Sequence, residues 1–158
     1  WINLEAQAVA GFFALLSNHL VTRARPDNQP CNSDLKAEES CDRGEFNSFI
    51  SGHTVTAAAG AGAICAHHLS MPLYGGGAGD IIACAVSSTV ALMVGVSRIV
   101  NDRHWATDML PAWLIGAAAG YVWPRLFHYR SKSAGTPNYV LLPGITPESV
   151  SAKLIVWN

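Results

Sequence analysis

Ser97-Arg98-Ile99-Val100-Asn101-Asp102-Arg103-His104-Trp105-Ala106-Thr107-Asp108 joins two apolar segments, and its reading decides how the chain is arranged. A serine–arginine pair ends the first segment. A histidine opens the second, with an aspartate four residues later. Residues i and i+4 of a helix share a face, so the spacing predicts that Asp108 holds the ring of His104. A carboxylate on one imidazole nitrogen fixes the tautomer and frees the other nitrogen to attack an electrophile or bind a metal. Arg98 adds a permanent cation whose planar fork suits phosphate.

Working outward, four apolar segments read as helices. Ala6 to Thr22 carries no charge and is ended by Arg23-Ala24-Arg25-Pro26; residues 27 to 50 are polar and read as a long loop. Thr54 to Leu69 is rich in Ala and Gly and is stopped by Pro72 and Gly75-Gly76-Gly77. Ile81 to Ser97 follows, then Trp105 to Trp123, with Pro111 accommodated near the first turns or as a kink. Gly116 and Gly120 have the small-xxx-small spacing of a close helix contact. After Arg130 the composition turns to Ser, Gly and Pro, with Tyr139 to Leu142 and Leu154 to Trp157 as candidate short strands. The expected architecture is an all-α antiparallel bundle over residues 1–130, followed by a short irregular or β tail over 131–158.

The 158 residues suffice for one domain with a core. Half are hydrophobic, 13% are charged and the net charge is −1, a balance that offers nucleic acid no basic face. Together with a mean hydropathy of +0.23, it favours helices buried on most sides, as in a membrane, although the segments fall a little short of the roughly 20 residues of a lone span. A soluble secreted or periplasmic bundle is the alternative. Arg125, His128, Arg130 and Lys132 follow the fourth segment as a cytoplasmic flank would, which places the 23–53 and 97–104 connections on the extracytoplasmic side. Cys31 and Cys41, in the polar loop, are expected to form a disulfide there, a zinc site being the alternative. Cys65 and Cys84 lie at similar depth, with buried free thiols as the default and a second bridge as the alternative. The chain starts Trp1-Ile2-Asn3, with no initiator Met or leader pattern, and reads as a fragment or processed product.

Because successive helices alternate in direction, Arg25, Ser51-Gly52-His53, Arg98 and His104 converge on one end of the bundle. Two arginines, two histidines and a helix N-terminus make an anion pocket. These residues resemble the type 2 phosphatidic acid phosphatase superfamily, which also holds vanadium haloperoxidases and bacterial acid phosphatases. Its pattern is K-x6-R-P, P-S-G-H and S-R-x5-H-x3-D. The chain matches it at Arg25-Pro26, Ser51-Gly52-His53, and Ser97-Arg98, His104 and Asp108, over about residues 11 to 123. It departs at two places, with Asn18 where the pattern has lysine and Ile50 where it has proline.

The resemblance implies a metal-independent phosphatase, and the position of the site at the headgroup level of a membrane suggests a lipid phosphate or diphosphate as its substrate. His104 would be the nucleophile, forming a phosphohistidine, and Asp108 would orient it. His53 would be the general acid and then the base for water. Arg25, Arg98, the Ser51 hydroxyl and the Gly52 amide would hold the phosphoryl oxygens, with Asn18 and Arg23 as extra contacts. Vanadate would bind as a phosphate mimic. Vanadate-dependent halide oxidation, and a weakened relative that binds lipid phosphate or acts as a scaffold, are the competing expectations. The bland readings make Arg23 and Arg103 flanking cations, His67-His68 interfacial and His19 a packed residue.

Overall fold

The computed structural model describes residues 1–28 and 46–129, and the backbone of a separate hairpin at 138–146 and 149–157. Its helices are α1 (Ile2–Leu20), α2 (Gly52–Ser70), α3 (Ala78–Val100), α4 (Ala106–Ala117) and α5 (Trp123–Phe127), with a π-helical turn, Ala118–Val122, joining the last two. The hairpin strands β1 (Asn138–Thr146) and β2 (Ser149–Trp157) pair antiparallel, Leu141 opposite Leu154. These strands run longer than the two short runs that the sequence marks.

Helix α2 is the central element, packing on α1, α3, α4 and the π-helical turn. Small residues make that possible. On α1 the buried positions are Ala6, Ala10 and Ala14, four apart on one face. Ala10 and Ala14 meet a core built from Val55, Ala59, Ala112, Ala119 and Ile50. At Gly116 an added Cβ would collide with the Val55 carbonyl and the Ala58 side chain, and at Gly120 with the Ala59 backbone. The small-xxx-small pair therefore lets α4 and the following turn lie directly on α2. Gly95 of α3 admits the Trp113 ring in the same way, and Trp113 Nε1 donates to the Ala91 carbonyl at 3.2 Å.

Large apolar side chains point outward instead. Phe12, Leu15, Ile81, Val90, Met93, Leu114 and Leu126 are all exposed while alanines fill the interior. One described helix, α3 with 23 residues, is long and apolar enough to cross a membrane.

Cys65 of α2 and Cys84 of α3 are joined in a disulfide, their Cα atoms 4.5 Å apart. This replaces the default of free thiols: the two antiparallel helices bring the positions to the same depth and adjacent faces. Cys31 and Cys41 lie outside the described residues, as do Arg130 and Lys132 of the basic flank.

Candidate active site

Three segments meet at the end of the bundle where α1 finishes, α2 begins and α3 turns into α4. The return from α3 is tight. Asn101 N–H donates to Ser97 O, Asp102 N–H to Ile99 O and Arg103 N–H to Arg98 O, with Asp102 in the left-handed region at φ 52°. The turn is tied to the segment after α1: Trp105 Nε1 donates to Ala24 O at 2.9 Å, Asp27 N–H to Asp102 O at 3.1 Å, and Arg103 pairs with Asp27 at 3.1 Å. Arg103 is thus an ion-pair partner rather than a simple flanking cation. The segment before α2 joins through a bridge between Arg23 and Asn47, in which Arg23 N–H donates to Phe46 O and Ser48 N–H to Arg23 O.

His104 lies in this meeting point and is 4% exposed. Its Nδ1 is 2.7 Å from the Ser48 carbonyl oxygen. A carbonyl only accepts, so Nδ1 carries the hydrogen and Nε2 keeps its lone pair. Nε2 has no hydrogen-bond partner among the described residues.

Asp108 does not hold the ring directly. Its nearest carboxylate oxygen is 3.9 Å from Nδ1, beyond hydrogen-bond range. The fully buried carboxylate accepts instead from Arg23 Nη1 (2.5 Å), the Ser48 hydroxyl (2.5 Å) and the Trp105 backbone N–H (3.0 Å). The expectation of a direct i,i+4 contact fails for a local reason. Helix α4 starts at Ala106 with Trp105 as its N-cap, so His104 lies outside the helical repeat while Asp108 turns back to cap the first turn.

The charges of Arg25 and Arg98 both act on His104. Burial lowers its pKa below the ordinary value, and the two guanidinium charges add to this. The bond to the Ser48 carbonyl and the Asp108 charge oppose it, and the net direction is down. Arg25 Nε, Arg98 Nε and Asn18 Oδ1 are buried with no hydrogen-bond partner among the described residues, which marks these side chains as groups with bonding capacity left over. Asn18, near the end of α1, is on the same end of the bundle as the arginines.

Ser51 is the buried N-cap of α2, its Oγ accepting from Thr54 N at 3.4 Å and from the Thr54 hydroxyl at 3.0 Å. Gly52 follows with open space where a Cβ would project, so a ligand can approach its backbone. His53 is exposed in the first turn of α2, and its ring makes no hydrogen bond among the described residues. Arg23, expected as a phosphate contact or a flank, instead directs Nη1 to Asp108 and to the Thr107 hydroxyl (2.7 Å) and lies over the Trp105 ring at 5.3 Å. Ser48 was not marked by sequence reasoning at all, and no spacing rule marks a residue that acts through its carbonyl.

The family model described as PAP2 superfamily matches residues 1–132. A lipid A 1-phosphatase of Porphyromonas gingivalis is 40% identical over 75 residues, 47% of this chain and 15% of that protein. No solved structure matches the chain.

Proposed function

The chain belongs to the PAP2 superfamily, and from that premise we propose that it removes phosphate from a phosphorylated lipid through a phosphohistidine formed at His104. The observation that carries this reading is a buried histidine with Nδ1 bonded to a carbonyl, Nε2 without a partner among the described residues, and two arginine charges acting on it. Such a nitrogen is a nucleophile at neutral pH, because a lowered pKa keeps it unprotonated.

In the first step Nε2 attacks phosphorus, the N–P bond forms and the P–O bond to the lipid breaks. His53 supplies the proton to the leaving oxygen. In the second step His53, now neutral, takes a proton from water, whose oxygen attacks phosphorus and expels His104. Arg25, Arg98 and the Gly52 amide carry the charge on the phosphoryl oxygens, and the Ser51 hydroxyl donates while its lone pair caps α2. Positioned donors of this kind contribute most where charge redistributes, about 3–4 kcal/mol for one of them. Because cationic side chains and amides fill that role, the reading expects turnover to survive a chelator.

The inside-out distribution of apolar size supports a membrane setting. A water-soluble bundle buries its Leu, Phe and Ile; this one, Ile50, Met109 and Val55 apart, fills its interior mainly with Ala and Gly and exposes most of its large residues. At 1.5 Å per residue α3 is about 35 Å long, against a hydrocarbon core of about 30 Å. The site would then lie at headgroup level, and Arg125 and His128 at the other end support an extracytoplasmic orientation for it. The name of the Porphyromonas gingivalis relative supports a lipid-borne phosphate as substrate.

The test is release of inorganic phosphate from a panel comprising a phosphorylated glycolipid, phosphatidate, an isoprenyl diphosphate and a soluble aryl phosphate. Wild type should prefer the lipids and form an acid-labile, base-stable phosphoenzyme that His104→Ala lacks. A His104→Ala variant with wild-type turnover would falsify the mechanism.

A further inference from the structure

We propose that Arg23 and Ser48 are positioning residues for the phosphoryl-accepting histidine, closing with Asp108 a three-residue ring that fixes the carbonyl on which His104 Nδ1 rests. This rests on the reading of His104 as nucleophile and adds how its ring is aimed. Each link of the ring is a short contact. The Ser48 N–H donates to the Arg23 carbonyl at 3.0 Å, the Ser48 hydroxyl to Asp108 at 2.5 Å, and Arg23 Nη1 to the other Asp108 oxygen at 2.5 Å. From inside the ring the Ser48 carbonyl accepts from His104 at 2.7 Å. Ser48 and Asp108 are wholly buried, and a half-satisfied buried polar network destabilises, so each member holds the others to one geometry.

The ring replaces the direct aspartate–histidine pair with an indirect one. A neutral carbonyl fixes the tautomer, and the aspartate charge is displaced to 3.9 Å from Nδ1 and partly neutralised by Arg23. That arrangement keeps the ring oriented while raising its basicity less than a directly bonded carboxylate would. Arg23 is engaged elsewhere than with phosphate: its Nη1 is held by Asp108 and Thr107, and its guanidinium lies over the Trp105 ring. The charged groups of the surrounding segments are Arg25 and Asp27 after α1, His53 on α2, Arg98, Asp102 and Arg103 at the α3–α4 turn, and Asp108 on α4. Of these Arg25, Arg98 and Asp108 act on His104, and Asp27 and Arg103 pair with each other.

The experiment compares Arg23→Ala, Arg23→Lys, Ser48→Ala, Asp108→Ala and the Arg23→Ala/Asp108→Ala double variant in the full chain. Positioning predicts that Arg23→Ala and Ser48→Ala lower kcat about 10- to 100-fold, while inhibition by vanadate changes less than about twofold. Arg23→Lys, which keeps the charge, should recover part of the loss. With Asp108 no longer neutralised, the acidic limb of the kcat/KM profile should move to higher pH in Arg23→Ala. The double variant should be no slower than Asp108→Ala, because both changes break the same ring.

Three results would overturn the proposal: weakened vanadate inhibition with an unmoved acidic limb, full additivity in the double variant, or a lower active fraction with unchanged constants per active molecule. Nitrogen NMR of isotope-labelled histidine separates this from failure of the catalytic reading, because it needs no turnover. Wild type should show His104 as the Nδ1–H tautomer alone, and Arg23→Ala and Ser48→Ala a mixture. An unchanged tautomer in both variants removes the ring's role, whereas loss of the phosphoenzyme reading alone leaves that measurement intact.

Discussion

His67 and His104 sit at opposite ends of one helical bundle and show what separates a structural histidine from a reactive one. At the far end His67 is bonded through both ring nitrogens, Nδ1 to the Tyr129 hydroxyl at 2.5 Å and Nε2 to Asn3 at 2.6 Å. Its neighbours are engaged too, His68 with Asp80 at 2.7 Å and His128 with Glu5 at 2.7 Å. Asp80 also accepts from Tyr74 N–H and Gly76 N–H, which ties down the loop before α3. At the near end, among the described residues, His104 bonds through Nδ1 only, and Arg25 and Arg98 each keep a buried Nε without a partner. His104 is buried and His67 half-buried, a difference of degree that does not by itself decide reactivity. The difference is unused bonding capacity, which the far end has consumed in joining α1, α2, α3 and the segment after α5.

The largest expected effect tests the reactive side of that contrast. His104→Ala should lower phosphate release by about a thousandfold or more, with thermal stability little changed. A far-end substitution of comparable effect would break the comparison outright. Asp108→Asn comes next. The amide keeps the shape, but its NH2 faces one of three donors, Arg23, Ser48 or Trp105. Turnover should fall about 10- to 100-fold, and stability by about 1–3 kcal/mol for the donor left unpaired. Denaturation followed alongside phosphate release separates the two losses. If stability fell with kcat intact, Asp108 would belong with the far-end ties and not with the site.

The contrast was partly legible in the residues. Helical segments, their alternation, and the convergence of Arg25, His53, Arg98 and His104 follow from apolar runs and their breaks, because each helix must reverse direction across a short connection. The resemblance to the PAP2 motifs drew on the same residues. What spacing misread is the contact between Asp108 and His104, since i,i+4 holds only inside a helix and His104 precedes the N-cap. Ser48 was invisible for a different reason: its carbonyl is a backbone group, and any residue supplies one. His67 and His68, read as interfacial, are tied to Asn3, Tyr129 and Asp80, partners that spacing along the chain does not reveal. His19, read as packed, is exposed, because the buried face of α1 is the alanine stripe, which leaves position 19 outside it.

A smaller effect concerns pH. Attack requires neutral His104, and its pKa is lowered chiefly by burial, then by Arg25 and Arg98. Activity is therefore retained above that pKa and lost as pH falls through it, so the acidic limb of kcat/KM should lie below about 6.5. Arg98→Gln removes one of the lowering charges and should move the limb upward, in addition to weakening phosphate binding. A limb that stays in place would mean that the titrating group is not His104.

The smallest effect tests the structural side. In His67→Phe the ring volume is kept while the bonds to Asn3 and Tyr129 are lost. Tyr129 can turn its hydroxyl towards water and Asn3 is exposed, so neither is stranded. Stability should drop by about 1 kcal/mol and kcat should stay within about twofold of wild type, because the ring lies more than ten helical residues from the catalytic end of α2. A fall in kcat without a fall in stability would show that the far end communicates with His104. The route would run along α2, which packs against every other helix of the bundle. Bonding capacity alone would then no longer distinguish the two ends, and the far-end histidines would have to be counted with the site at the other end of the bundle.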